Sequence, residues 1–255
     1  MSAADETDLA AVEESELESY WQESTKPLQV LVFLLPLVLF YEVGSVVWQQ
    51  ELATLGLAAR RLLDTLFEIF GVFGMHLPAL ALVAVLLSWH LLERRPWRIR
   101  PSGLLVMAAE SCIWAAPILV LAAMTGLLGG GVGGAFADLP AGARATTAIG
   151  AGVYEELVFR FVLIALAHGL LVDICGVREQ LGNVLAVGFS ALVFAAYHRT
   201  GVDGQLHVAS VIFFFASGVY LGTLFLGRGL GIAAGAHAIY DLLVLVAFPA
   251  ISSGG

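Results

Sequence analysis

The sequence predicts an all-α protein: a polytopic membrane bundle of about seven to eight transmembrane helices around a buried polar site. Three observations carry that expectation. The 255 residues are 59% hydrophobic and only 13% charged, with a mean hydropathy of +0.89, so there is too little polar surface to clothe a soluble globule. Apolar runs recur at about the 20 residues that a helix needs to cross a bilayer. Ionisable residues also gather inside three of the later runs, where each costs roughly 2.5–3.5 kcal/mol on insertion scales unless it is paired or faces a polar cavity.

The chain opens with an acidic tail, 1–26, in which Asp5, Glu6, Asp8, Glu13, Glu14, Glu16, Glu18 and Glu23 all precede the first base, Lys26. That arm reads as a solvated tail or a short surface helix, and it carries most of the formal charge of −9. No basic n-region or small-residue cleavage site accompanies the first apolar run, so the first span is expected to be retained. A single membrane domain, 27–250, follows, with spans expected at 28–48, 71–92, 103–128, 145–171, 182–199, 206–227 and 229–249. Residues 51–70 are helical in pattern but carry Arg60, Arg61, Asp64 and Glu68. Leu55, Leu62, Leu66 and Ile69 can form one apolar face, which favours an interfacial amphipathic helix over an eighth crossing.

The densest basic stretch, Glu93 to Pro101, contains Arg94, Arg95, Arg98 and Arg100, and the positive-inside rule places it in the cytoplasm. Seven spans then put the amino terminus inside as well. Arg178 and Arg228 fall on that side, while Arg60, Arg61, Arg144 and Arg199 fall outside with the glycine-rich loop 129–134. Gly218, Gly222, Gly227, Gly229, Gly231 and Gly235 suit close packing of the last two spans. Cys112 and Cys175 form no ligand or disulfide pattern and read as structural. The lipid bilayer is thus an expected partner, and nucleic acid is not, since neither a basic surface nor a phosphate-binding glycine loop is present.

The polar constellation lies in the motif-bearing core, 145–249. Tyr154-Glu155-Glu156-Leu157-Val158-Phe159-Arg160 sets two carboxylates and a guanidinium in one span. Glu156 and Arg160, four apart, share a helix face, whereas Glu155 is rotated about 100° away. His198 follows Phe194 by four in the next apolar segment, and His237 precedes Asp241 by four in the last. The second pair can set a carboxylate against an imidazole and fix its tautomer. His76, His90, His168 and His207 lack such company and read as packing or interfacial residues. A purely structural ion-pair network is one reading of these groups; a catalytic centre is the other. Amide hydrolysis in lipid needs an activated water, a base and donors aimed at the oxyanion, and Glu155, His198, His237 and Arg160 can supply these, with Glu155 and Glu156 both open as the base.

The pattern resembles the CAAX-protease and bacteriocin-processing family of intramembrane endopeptidases, also called the Abi family. Its signatures EExxxR, FxxxH and HxxxN or HxxxD read here as Glu155-Glu156-x-x-x-Arg160, Phe194-x-x-x-His198 and His237-x-x-x-Asp241, in order and on successive apolar segments. The resemblance implies an all-helical protease in which Glu155 and His198 activate water and His237 supports the oxyanion. Prenyl-protein proteases of the family carry asparagine where this chain has Asp241. An ionised aspartate cannot donate, so Asp241 is expected to orient His237. No cofactor is expected; zinc is weighed because two histidines and a glutamate can ligate it, but no HExxH spacing is present.

The implied partner is a protein or peptide substrate with a carboxyl-terminal processing or sorting segment. With the basic stretch inside, His198 lies near the outer end of its span, so the site should open to the non-cytoplasmic side of a bacterial inner membrane. That suits an exported or membrane-anchored substrate better than a prenylated cytoplasmic tail. The alternatives are a noncatalytic scaffold or immunity protein of the same fold, which loss of a motif residue would favour, and a proton-coupled transporter, which should show internal repeats or paired broken helices.

Overall fold

A computed structural model describes residues 20–53, 76–128, 136, 138–198 and 207–247. Within them the protein is helical, with no strand. Three helices carry proline in the first turn, where its missing N–H forfeits no intrahelical bond: α1, Pro27–Val47, and α4, Pro101–Met124, start on it, and α3, Leu77–Leu92, has Pro78 second. A short α2, Gln49–Ala53, follows α1. The long α5 runs as an α segment, Ala141–Glu155, a π segment, Glu156–Val162, a second α segment, Leu163–His168, and a second π segment, Gly169–Ile174. Then come α6, Glu179–Tyr197, and α7, Val208–Leu242, which continues as a π segment, Leu243–Ala247.

Five of these helices are long and apolar enough to cross a membrane, and the 16-residue α3 is a shorter apolar helix. As a straight rod, the 40 residues of α7 and its extension would reach about 60 Å, twice the hydrocarbon thickness. It is not straight. Gly229 breaks it at φ 77°, ψ 178°, a backbone that residues with a Cβ rarely adopt. The Phe213 and Tyr240 rings lie 6.0 Å apart, so the arms 208–228 and 230–247 run antiparallel. Counting both arms of α7 and the shorter α3, the described residues hold seven apolar helical segments. The break falls where the sequence separates the last two spans.

Two contacts fix α1 antiparallel to α3. Glu42, late in α1, bonds His76 at the start of α3. At the other end Gln29 donates to the Arg100 carbonyl at 3.1 Å and accepts from its N–H at 3.3 Å. Both flanks of 54–75 therefore lie at the same end of the bundle. The amphipathic helix or eighth crossing expected over 51–70 falls, beyond Ala53, outside the described residues, as do the acidic tail up to residue 19 and the glycine-rich loop 129–134.

The central element is α7, packed against α4, α5 and α6. Glycines permit the approach: a Cβ on Gly218 would meet the Ala191 backbone at 2.9 Å, and one on Gly235 would meet Ser111 Oγ at 2.4 Å. Gly227 borders open space, so the packing role expected of it does not hold there. Leu105, Met124 and Ile174 are at least three-quarters exposed, as suits an integral membrane protein whose outer face meets lipid.

A buried polar knot ties the Gly229 turn to α4. Arg228 donates bidentately to Glu110, Nε to Oε1 at 2.6 Å and Nη2 to Oε2 at 2.8 Å. Its Nη2 also donates to Ser24 Oγ at 3.0 Å, and its Cζ lies 3.8 Å from the Trp21 ring centroid. Tyr20 and Trp114 donate to the same carboxylate. Burial, and then the Glu110 bond, raise the Tyr20 phenol well above its ordinary pKa. Arg228, placed by the sequence on the same side as the basic stretch 93–101, is almost wholly buried and paired.

Candidate active site

The site forms where the π segment of α5 meets α6 and both arms of α7. Glu155 ends the first α segment of α5 and Glu156 opens the π segment, a helix widening often found at functional positions. Gly152, one turn earlier, makes the approach possible: a Cβ there would lie 2.5 Å from the Ala238 nitrogen and 2.6 Å from its Cα. The backbones of α5 and the second arm thus touch beside His237. Gly152→Ala is expected to cost about 1–3 kcal/mol from overpacking and to abolish activity as His237 is pushed off Glu156. Thermal unfolding in detergent, read beside a cleavage assay, checks both.

The two glutamates have different surroundings. Glu156 is fully buried; its Oε1 accepts from His237 Nδ1 at 2.7 Å and stands 3.0 Å from Arg160 Nη1. Arg160 is fully buried too, with Cζ 4.3 Å from the Phe194 ring centroid. Its contact with Glu156 is an ion pair by distance without hydrogen-bond alignment. Glu155 instead faces the cavity, with Oε1 3.5 Å from His198 Nε2 and Oε2 4.0 Å from His237 Nε2. Asp241 Oδ2 lies 3.5 Å from the same His237 nitrogen.

His198 caps the end of α6. Its Nδ1 lies 3.0 Å from the Phe194 carbonyl, which makes Nδ1 the donor and turns Nε2 toward Glu155. Phe214 stacks on the imidazole at 4.4 Å and 19°, so ring and tautomer are both held. Three carboxyl groups and one guanidinium leave the site's charge unbalanced unless protons are shared among the acids and imidazoles.

Glu155, His198, His237 and Asp241 line a cavity of about 220 Å³, with Glu156 and Arg160 buried behind them. The rest of the lining is chiefly apolar, including Ile118, Phe136, Phe213, Leu221 and Leu245, with Thr147, Ser217 and Tyr240 as further polar groups. All six motif residues thus converge from three elements, within 4.0 Å links. His76, His90, His168 and His207 are not among the lining residues. Among the described residues no group of three or more His, Cys, Asp or Glu could hold a metal ion.

Sequence reasoning passed over a second polar group behind the site. Tyr154, next to Glu155 and fully buried, donates to Glu42 Oε1 at 2.7 Å, and its ring meets Tyr41 edge-on at 5.0 Å. Glu42 and Glu110 are lone acids inside apolar runs, the same anomaly that singles out Glu155. Applied to every span, that signal finds them.

Residues 138–243 match the family model described as Type II CAAX prenyl endopeptidase Rce1-like. The matched stretch is under half of the chain, yet it holds all three motifs and every helix that supplies a charged group to the cavity. Neither a curated protein nor a solved structure matches the chain. The helices that build this site, over residues 138–243, match a CAAX-protease family model, which supports the CAAX-protease and bacteriocin-processing family.

Proposed function

We propose that the protein is an intramembrane endopeptidase that hydrolyses a peptide bond near the carboxyl terminus of its substrate with a water activated by Glu155. One observation carries this reading: the Glu155 carboxylate stands between the cavity-facing nitrogens of two oriented histidines. With His198 Nδ1–H given to a backbone carbonyl, its Nε2 can accept one hydrogen of a water whose other hydrogen goes to Glu155. The water's lone pair is then free for the scissile carbonyl.

Glu155 takes the proton as the C–O bond forms, and passes it to the amine nitrogen as the C–N bond breaks. Charge on the former carbonyl oxygen needs a donor already in place. As an imidazolium, His237 gives Nδ1–H to Glu156 and offers Nε2–H to the oxyanion. Glu156 holds that ring, and Arg160 compensates Glu156 in the dry wall. Asp241 lies beside Nε2, where as a carboxylate it steadies the cationic ring. No step requires a metal.

The substrate side follows from topology. The basic stretch 93–101 leads into the start of α4, whereas Phe136, Thr147 and His198 lie toward the other end of the bundle. With the basic end and the amino terminus in the cytoplasm, the cavity opens to the non-cytoplasmic side of a bacterial inner membrane. An exported or membrane-anchored protein bearing a carboxyl-terminal hydrophobic sorting segment fits that side; a prenylated cytoplasmic tail does not. Tagged precursors of both kinds, co-reconstituted with the enzyme, test this. Cleavage of the exported kind, retained with chelator and lost in His198→Ala, is the expected result; loss on chelation alone would overturn the metal-free mechanism.

A further inference from the structure

Ser217 stands apart from the other buried hydroxyls of the bundle. In a membrane helix a serine or threonine ordinarily satisfies itself on the carbonyl one turn back; the buried Ser111, Thr146 and Thr147 do so, at 2.8 to 3.1 Å, and the buried Ser190 donates to the Phe159 carbonyl. Ser217 is 3% exposed, yet its Oγ has no hydrogen-bond partner. An unmade bond at a buried hydroxyl is costly, all the more where lipid offers no substitute. Ser217 is one of the residues that line the cavity holding Glu155, His198 and His237.

Its place in the fold is specific. Phe213, Phe214, Ser217 and Leu221 form the cavity-facing stripe of the first arm of α7, and Phe214 is the residue stacked on His198. Because Phe213 meets Tyr240 across the antiparallel hairpin, a step of four residues toward the turn on each arm brings Ser217 level with Ala236 and His237. The contact of Gly218 with the Ala191 backbone fixes this part of the arm against α6. The hydroxyl is therefore held at the height of His237 with its proton uncommitted.

Among the polar lining groups, Glu155 and Asp241 as carboxylates only accept, and Thr147 spends its proton on the Ala143 carbonyl. Besides His237, the donors left are the Tyr240 phenol and the Ser217 hydroxyl, and Ser217 is the one on the stripe that carries Phe214 against His198. An oxyanion stabilised by His237 alone would have one donor. We propose that Ser217 is a catalytic residue, its Oγ–H donating to the scissile carbonyl oxygen beside His237 as charge develops there. The proposal rests on the reading of this cavity as the proteolytic site and adds a donor to it.

The test compares wild type, Ser217→Ala, Ser217→Cys and Glu155→Gln in proteoliposomes, on a quenched fluorogenic peptide that the wild type cleaves, with kcat and KM resolved and thermal unfolding measured for each. Loss of one oxyanion donor typically lowers kcat about 10²- to 10³-fold, so Ser217→Ala should fall in that range with KM little changed. Its unfolding temperature should equal or exceed that of the wild type, since an unsatisfied buried hydroxyl has been removed. Ser217→Cys, with a weak donor of similar size, should be intermediate. A Ser217→Ala enzyme within about twofold of the wild-type kcat, beside an inactive Glu155→Gln, overturns the Ser217 assignment and leaves the site standing. Full activity in Glu155→Gln overturns the site reading and the Ser217 assignment with it.

Discussion

Glu155→Gln is expected to lower kcat by about 10²- to 10⁴-fold, the range for loss of a general base, while the protein stays folded and KM changes little. The amide has the shape of the carboxylate and can still accept from a bound water, but it cannot take the proton. The neighbouring substitution should behave differently. In Glu156→Gln the amide oxygen can still accept from His237 Nδ1, now at 2.7 Å from Glu156, so the ring keeps its direction. What is lost is the counter-charge to Arg160, 3.0 Å away and fully buried. Glu156→Gln should therefore lower the unfolding temperature more than Glu155→Gln does, and lower kcat less. Rate and thermal unfolding measured on both variants separate the roles; equal loss of kcat with no difference in stability would mean that the two carboxylates act as one catalytic unit.

That distinction shows how far the residues alone reach. A helical wheel separates Glu155 from Glu156 by about 100° without saying which direction is the cavity, because the answer lies in where α6 and α7 pack. The pairing of Glu156 with Arg160 is local and legible from the spacing. The bond from Glu156 to His237 spans 81 residues and has no local signature. The π segment that starts at Glu156 is equally silent, since Glu156–Val162 contains no proline or glycine to mark a change of helix type. By contrast, Gly229 marks its own turn: apolar sequence on both sides is long enough for two crossings, and glycine at the centre accepts the positive φ.

Ser217 and Glu110 illustrate two ways a functional or structural polar group escapes notice. A serine in an apolar run is common and usually bonds its own helix, so only the missing bond in the folded protein distinguishes Ser217. Glu110 carries a sequence signal, a carboxylate in a span, but its partner is 118 residues away at the end of another helix. The position of Arg228 at a span boundary gives its side without its partner: near a bilayer surface an arginine can turn outward or inward, and here the acid on α4 and the Trp21 ring turn it inward.

Glu110→Ala should be the most destabilising single change outside the catalytic groups. Arg228 has 3% of its side chain exposed and would keep the Ser24 hydroxyl, a long 3.5 Å bond to the Trp21 carbonyl and the aromatic faces of Trp21 and Tyr20, none of them a counter-charge. Removing one partner of a buried ion pair costs about 3–5 kcal/mol, because the remaining charge is stranded. Arg228→Met should cost less, since Glu110 would still accept from Tyr20 and Trp114. The double variant Glu110→Leu/Arg228→Met removes both charges and should recover most of the stability, as replacing buried pairs by apolar residues generally does. Activity should follow the same order, for a reason visible in the chain: Arg228 immediately precedes the Gly229 turn, and His237 lies only about two helical turns beyond it. Whatever shifts the turn shifts His237 along Glu156. Unfolding temperature and cleavage rate, measured across all three variants, check this coupling; recovery of stability in the double variant without recovery of rate would show that the pair sets the register of the second arm rather than merely holding it in place.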